Sequence, residues 1–259
     1  MKAIVIFDID GVIRDVAGSY RRAIADTVEY FTQNNYRPTM EQIDELKSEG
    51  IWNNDWEASQ ELIYRYFESQ GKSRSQLNLD YQTIVDFFQA RYRGQNQSDP
   101  SLWDGYITQE PLLVKPEYFQ DLTDNDIGWG FFSGATRGSA EYILNYRLGL
   151  ENPVLIAMND APGKPDPTGL LMTVKLIEGD AINLQTPIFY LGDTVADIQT
   201  IIKAQEVAPQ RIWRAIGILP PHVQKDETTQ LNYSAKLTGV GATMVLKNVQ
   251  EFNSSRIAL

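Results

Sequence analysis

AIVIFDIDG, running from Ala3 to Gly11, decides the fold. Five apolar residues in succession, with β-branched side chains at Ile4, Val5 and Ile6, suit a strand buried on both faces, as in a parallel sheet. The run stops at Asp8 and Asp10, and Gly11 lets the chain turn away without steric cost. The same texture recurs downstream. IGWGFF (Ile127–Phe132) runs into Ser133, PVLIA (Pro153–Ala157) toward Asp160, and PIFYL (Pro187–Leu191) into Gly192. IWRAIGI (Ile212–Ile218) and ATMVL (Ala242–Leu246) follow. Between the later runs the pattern predicts helices at Ser139–Leu148, Pro167–Glu178 and Ala196–Gln205. Strand alternating with helix predicts an α/β fold with a doubly wound parallel sheet.

A different texture fills roughly Ser19 to Arg93. Leu62, Ile63, Tyr66 and Phe67 form an apolar stripe at helical spacing, as do Ile84, Val85, Phe88 and Tyr92. Breaks fall at Asn34–Pro38 and Gly50–Asp55. The expected organisation is a catalytic core of residues 1–16 and 105–259, interrupted by an all-helical insert of residues 17–104. Ligands of open α/β sheets bind beyond the carboxyl ends of the strands, so the insert is expected as a lid over that edge.

Composition narrows the chemistry. With no cysteine, disulfides, thiolate metal sites and cysteine nucleophiles are excluded. The single histidine, His222, cannot build a multi-histidine metal site. A net charge of −11 argues against a nucleic-acid partner, which calls for a basic footprint. No apolar run approaches the roughly 18 residues of a membrane span, so no membrane partner and a cytoplasmic location are expected.

Four clusters carry chemistry. Asp8 and Asp10 crowd two carboxylates at a strand end, where each raises the pKa of the other unless a cation intervenes. One acid can attack an electrophile while the other donates a proton. Ser133-Gly134-Ala135-Thr136 offers hydroxyl and backbone donors to an anion. Lys164, between Gly163 and Pro165, is a pinned cation that can neutralise phosphate oxygens. Asp193 and Asp197, in GDTVAD, supply the hard oxygens that suit Mg²⁺. Taken singly, each cluster also reads as a turn, a helix cap or a solvated charge.

Taken together and in this order, DIDG, SGAT, GKPDP and GDTVAD resemble the four motifs of the haloacid dehalogenase superfamily, and the helical insert resembles the cap of its first subfamily. The resemblance covers essentially the whole chain. It implies a Rossmann-like core with a mobile helical cap and Mg²⁺-dependent phosphatase activity on a small-molecule phosphoester. It further implies that Asp8 is the nucleophile and a metal ligand. Asp10 is the acid and base, with its main-chain carbonyl on the metal. Ser133, Gly134 and Lys164 hold the phosphoryl group, Asp193 binds Mg²⁺, and Asp197 supports the metal or Lys164. Dehalogenase members lack an acid at the Asp10 position, which favours phosphate chemistry here.

Weaker signals lie outside the motifs. Trp52 and Asn53 in GIWNNDW stand in an expected loop that could reach a substrate, or the tryptophans could pack the insert's own core. Arg137, just past SGAT, could meet a substrate anion or be simply solvated. Two other readings fit the motifs: a sugar-phosphate mutase of the same fold, and a non-catalytic binding protein on this scaffold.

Overall fold

The computed structural model describes residues 1–49, 51–52, 54–96 and 98–257. The chain forms two compact units, one of Met1–Asp15 with Pro111–Leu259 and one of Val16–Glu110. Along the chain, β1 (Ala3–Phe7) is followed by α1 (Tyr20–Phe31), α2 (Met40–Ser48), α3 (Asp55–Ser69) and α4 (Tyr81–Tyr92). Then come α5 (Pro116–Asp124), β2 (Ile127–Phe132), α6 (Arg137–Glu141), β3 (Leu155–Ile156), α7 (Thr168–Glu178), β4 (Ile188–Gly192) and α8 (Val195–Val207). β5 (Trp213–Ile218), α9 (Glu227–Gly239), β6 (Met244–Leu246) and α10 (Ser254–Ile257) complete the order.

The six strands form one parallel sheet in the order β3-β2-β1-β4-β5-β6. Winding runs outward from β1 through β2 to β3, then returns to the other side of β1 with β4. The point where the order reverses lies between β1 and β4, which is where α/β sheets leave a crevice beyond their carboxyl ends. Asp8 follows β1 and Asp193 follows β4, so both acids stand at that crevice.

Strand periodicity divides β1 between two cores. Ile4 and Ile6 join Phe132, Leu170, Val174, Tyr190, Ile198 and Ile201 beneath α7 and α8. On the opposite face Phe7 packs edge-on against Tyr118 and Phe119 of α5, with ring centroids 5.9 and 5.7 Å apart. Every residue of β1 is buried, in keeping with its continuous apolar sequence. Burying a large apolar side chain contributes about 1.5–3 kcal/mol, so this central strand is among the strongest anchors of the sheet.

The helical unit is built on the expected stripes. Thr39 and Gln42 cap α2 reciprocally, Asn54 caps α3 and Asp80 caps α4. Tyr20 of α1 stacks on Tyr92 of α4 at 4.5 Å. Glu61 of α3, only 5% exposed, is neutralised by Arg65 and Arg74. Residues 105–110, expected in the core, group with the helical unit. Tyr106 bonds Asp26, and the Ser19 hydroxyl donates to Glu110 at 2.5 Å, so these residues are fastened to α1 and its approach. Among the described residues no helix is long and apolar enough to cross a membrane.

Candidate active site

Asp8 is fixed by the sheet that precedes it: its amide donates to the Leu191 carbonyl of β4 at 2.8 Å. The chain then folds into a tight turn in which the amides of Val12, Ile13 and Arg14 all point at the Ile9 carbonyl. Gly11 has φ +78° in that turn, and a Cβ there would lie 2.1 Å from Asp193 Oδ2. The glycine therefore serves twice, for the left-handed backbone and for the close approach of Asp193.

Asp197 lies in the first turn of α8. Thr194 caps that helix, and Asp197 Oδ2 in return accepts the Thr194 amide at 2.9 Å and its hydroxyl at 2.6 Å. Its other oxygen, Oδ1, accepts Lys164 Nζ at 2.6 Å and the Tyr190 hydroxyl at 3.0 Å. Both oxygens of Asp197 are thus engaged by this chain's own donors. Lys164 Nζ also lies 2.8 Å from Asp8 Oδ1, close enough for an ion pair. That approach is not aligned as a hydrogen bond, and Asp8 Oδ1 is buried without one. The ammonium stands 5.4 and 5.5 Å above the rings of Phe132 and Tyr190, an apolar and weakly negative seat for a cation.

The electrostatics follow from burial and charge count. Burial pushes the Asp8 carboxyl up to about 7, against the pull of Lys164 and with the help of Asp197 and Asp10. Asp193 is pushed well above the usual aspartate range, first by burial and then by the Asp197 and Asp8 charges. Burial acts the same way on Asp197, but Lys164 and Thr194 outweigh it and hold that carboxyl low. Burial alone would lower the Lys164 pKa; Asp197 and Asp8 instead keep it above the ordinary lysine range.

Three buried carboxylates, Asp8, Asp193 and Asp197, offer oxygens within 4.8 Å of one another, a group that could hold a metal ion. One lysine faces them, so negative charge is in excess. The buried Asp8 Oδ1 and the carboxylate of Asp193 pressed against Gly11 are hard oxygen donors of the kind Mg²⁺ takes. With Asp197 occupied by Lys164, Tyr190 and Thr194, the available ligands of this group are Asp8 and Asp193.

The remaining expected residues each have their own local partners. Ser133, 2% exposed, directly follows β2, and its Oγ accepts the Ala135 amide at 3.1 Å. Gly134 beside it is exposed. Asp10 is paired with Arg14 at 2.7 Å. Arg137, at the start of α6, is paired with Asp160 at 2.5 Å and Glu141 at 3.2 Å. In the helical unit Trp52 Nε1 donates to Glu49 at 2.9 Å. Arg65 and then Trp52 bring the Glu49 carboxyl down to about 2. Asn53 lies outside the described residues. Tyr190 and Arg14 were not singled out by the sequence: Tyr190 reads as one more apolar strand residue and Arg14 as a solvated turn charge.

A family model described as haloacid dehalogenase-like hydrolase matches residues 2–205. The chain is 29% identical over 247 residues to a Phytophthora nicotianae protein named imidazoleglycerol-phosphate dehydratase. That match takes in 93% of this chain but spans about half, 49%, of that relative's length. Among solved structures, a phosphonoacetaldehyde hydrolase-like protein from Oleispira antarctica superposes with a TM-score of 0.66 at 17% identity, covering 99% of this chain and 94% of the other. A phosphatase from Thermococcus thioreducens gives 0.62 at 20%, covering 91% and 99%. A β-phosphoglucomutase from Clostridium difficile gives 0.60 at 18%, covering 100% and 96%. These three likenesses establish a shared fold.

Proposed function

The chain belongs to the haloacid dehalogenase-like hydrolase family, and from that premise we propose that it is a Mg²⁺-dependent phosphatase of small phosphate esters acting through a phosphoryl-aspartate at Asp8. The observation that carries this reading is the shared ammonium of Lys164, 2.6 Å from Asp197 and 2.8 Å from Asp8 at the point of strand reversal. Phosphoryl transfer requires positioning and charge neutralisation above all. In this reading Asp8 and Asp193, with the Asp10 main-chain carbonyl, would hold Mg²⁺, which would supply positive charge to the phosphoryl oxygens and favour the ionised form of Asp8.

Asp8 Oδ attacks phosphorus in line, the bond to the leaving oxygen breaks, and that oxygen takes a proton from Asp10. Lys164, the Ser133 hydroxyl and the Gly134 amide bind the equatorial oxygens. A water that gives its proton to Asp10 then attacks phosphorus, the Asp8–phosphorus bond breaks, and inorganic phosphate leaves. Splitting the reaction in this way returns every group to its starting state. The helical unit Val16–Glu110 serves as the cap in this reading, with Trp52 and Asn53 as candidate substrate contacts.

The relative's name points to one substrate class worth an arm of its own. Imidazoleglycerol phosphate is a phosphate monoester, and dehydration of its glycerol chain leaves the phosphate in place. The test is phosphate release from p-nitrophenyl phosphate, alkyl and sugar phosphates and imidazoleglycerol phosphate, with Mg²⁺ and with EDTA, beside Asp8→Asn. Mg²⁺-dependent release that the variant abolishes supports the phosphatase. Bisphosphate-activated isomerisation without net release would instead identify a mutase, and metal binding with no turnover a binding protein.

A further inference from the structure

The catalytic turn holds a second cation. Arg14 is completely buried, the largest such side chain among the described residues. Its Nε donates to Asp10 Oδ1 at 2.7 Å, while the Asp10 side chain keeps 28% of its surface exposed. The backbone closes the same unit: the Gly11 amide donates to the Arg14 carbonyl at 2.9 Å and the Arg14 amide to the Ile9 carbonyl at 3.1 Å. Asp15 and Leu113 then tie this turn to residues 111–113 through Asp15 N to Pro111 O at 2.9 Å and Leu113 N to Ile13 O at 2.8 Å. A buried guanidinium presents its donors in a rigid planar fork. An aspartate held by that fork at one oxygen cannot rotate freely about its side-chain bonds. Asp10 follows Asp8 by two residues, at the start of this turn.

We propose that Arg14 is a positioning residue for the proposed reaction: it pins Asp10 by one carboxylate oxygen so that the other is presented to the leaving group. The proposal rests on the phosphatase reading above. It assigns to Arg14 no contact with substrate. Its effect passes through Asp10 and therefore falls on the step that needs a proton.

That gives the proposal a signature that general damage to the fold would not mimic. An alkoxide leaves only when protonated, whereas p-nitrophenolate leaves without help. Arg14→Lys keeps the charge and the aliphatic stem and removes the fork. It is expected to lower kcat/KM on an alkyl phosphate about 10- to 100-fold while kcat/KM on p-nitrophenyl phosphate stays within about threefold. In an Asp10→Asn background the same substitution should add nothing to the alkyl phosphate loss. Equal losses on both substrates, or additive losses in the double variant, would overturn the proposal. Should Arg14→Lys fail to fold, the Arg14 Nε–H proton in the wild-type NMR spectrum decides. It is expected downfield and slow to exchange, and shifted upfield in Asp10→Asn; an Nε–H signal indifferent to Asp10→Asn overturns the contact. If the wild type hydrolyses no phosphate ester, the phosphatase reading fails instead, and the NMR comparison still reports on the Arg14–Asp10 pair.

Discussion

Asp197 takes the shorter of the two contacts made by Lys164, 2.6 Å against 2.8 Å at Asp8. The fully buried carboxylate of Asp197 anchors the ammonium, and Asp8, the proposed nucleophile, shares it. Shared between the two carboxylates, the ammonium is placed to offset the charge of an incoming phosphate as well as that of Asp8. Lys164 comes from the loop before α7 and Asp197 from the first turn of α8, so the pair also ties these two segments together.

Asp197→Asn keeps the shape of the anchor and removes its charge, and is expected to lower kcat about 100-fold or more. Lys164→Met leaves the buried carboxylates without their cation. It is expected to abolish turnover and to cost about 3–5 kcal/mol of stability in EDTA, as for other broken buried pairs. Steady-state rates and urea unfolding of the core would check both. Wild-type kcat in either variant would refute the anchoring role.

Asp193 sets a stability cost that depends on pH. Its folded pKa is raised above the ordinary 3.8, so the folded chain binds this proton more tightly than the unfolded chain. Stability therefore falls as pH climbs from that ordinary value toward the raised one. Asp193→Asn should remove this share and raise the melting temperature in EDTA near pH 8, by the equivalent of about 1–2 kcal/mol. With Mg²⁺ the ranking should invert, because only the wild type keeps the ligand. Calorimetric scans at several pH values, with and without the ion, would show whether the two curves cross.

Gly11→Ala asks whether the close approach of Asp193 matters. The left-handed backbone alone costs a non-glycine residue about 1–2 kcal/mol. A methyl group 2.1 Å from Asp193 Oδ2 must also push that carboxylate aside. Mg²⁺ affinity measured by titration calorimetry is expected to weaken by about tenfold or more. Unchanged affinity would mean that Asp193 has room to move.

Tyr190→Phe removes one hydroxyl from the floor of the site. That hydroxyl lies 3.0 Å from Asp197 Oδ1 and 3.1 Å from the Phe132 carbonyl, and the ring beneath Lys164 is retained. The expected loss is about 1 kcal/mol of stability. A several-fold fall in kcat with KM unchanged should accompany it if the hydroxyl helps to orient Asp197. An equal fall in kcat and rise in KM would assign it to substrate binding instead.

Much of this architecture could be read from residues alone because its signals are local. The apolar runs became strands at β1, β2, β4 and β5 with small shifts at their ends, and the acids at their ends fell at the strand reversal. PVLIA shrank to Leu155–Ile156, at the edge of the sheet, where only one neighbour is available for pairing. α9 was not foreseen: ETTQLNYSAKLTG buries only Leu237, so it carries no apolar stripe. The expected helix after SGAT is present, but it loosens to a π-helical stretch at Tyr142–Arg147, which periodicity cannot distinguish. Arg14 and Tyr190 escaped for a shared reason. Apolar patterning does not report the pairing of polar atoms: Asp10 meets Arg14 through the particular turn between them, and Asp197 meets Tyr190 from the start of α8. Lys164 was named from its flanking residues, but its anchoring through Asp197 needed the distance between a loop and the first turn of α8.

The order of the sheet also bears on how the protein is made. β1 is synthesised first yet lies at the centre, and its second neighbour, β4, begins only at Ile188. Until that strand leaves the ribosome, AIVIF has one bare hydrogen-bonding edge and a face awaiting α8. Bare apolar edges invite pairing between chains, and distant parallel partners close slowly. A nascent chain stalled or truncated before Ile188 would thus be sticky as well as incomplete, lacking Asp193 and Asp197. Solubility of fragments ending on either side of β4 should change abruptly, marking the moment at which the half-built sheet becomes safe to release.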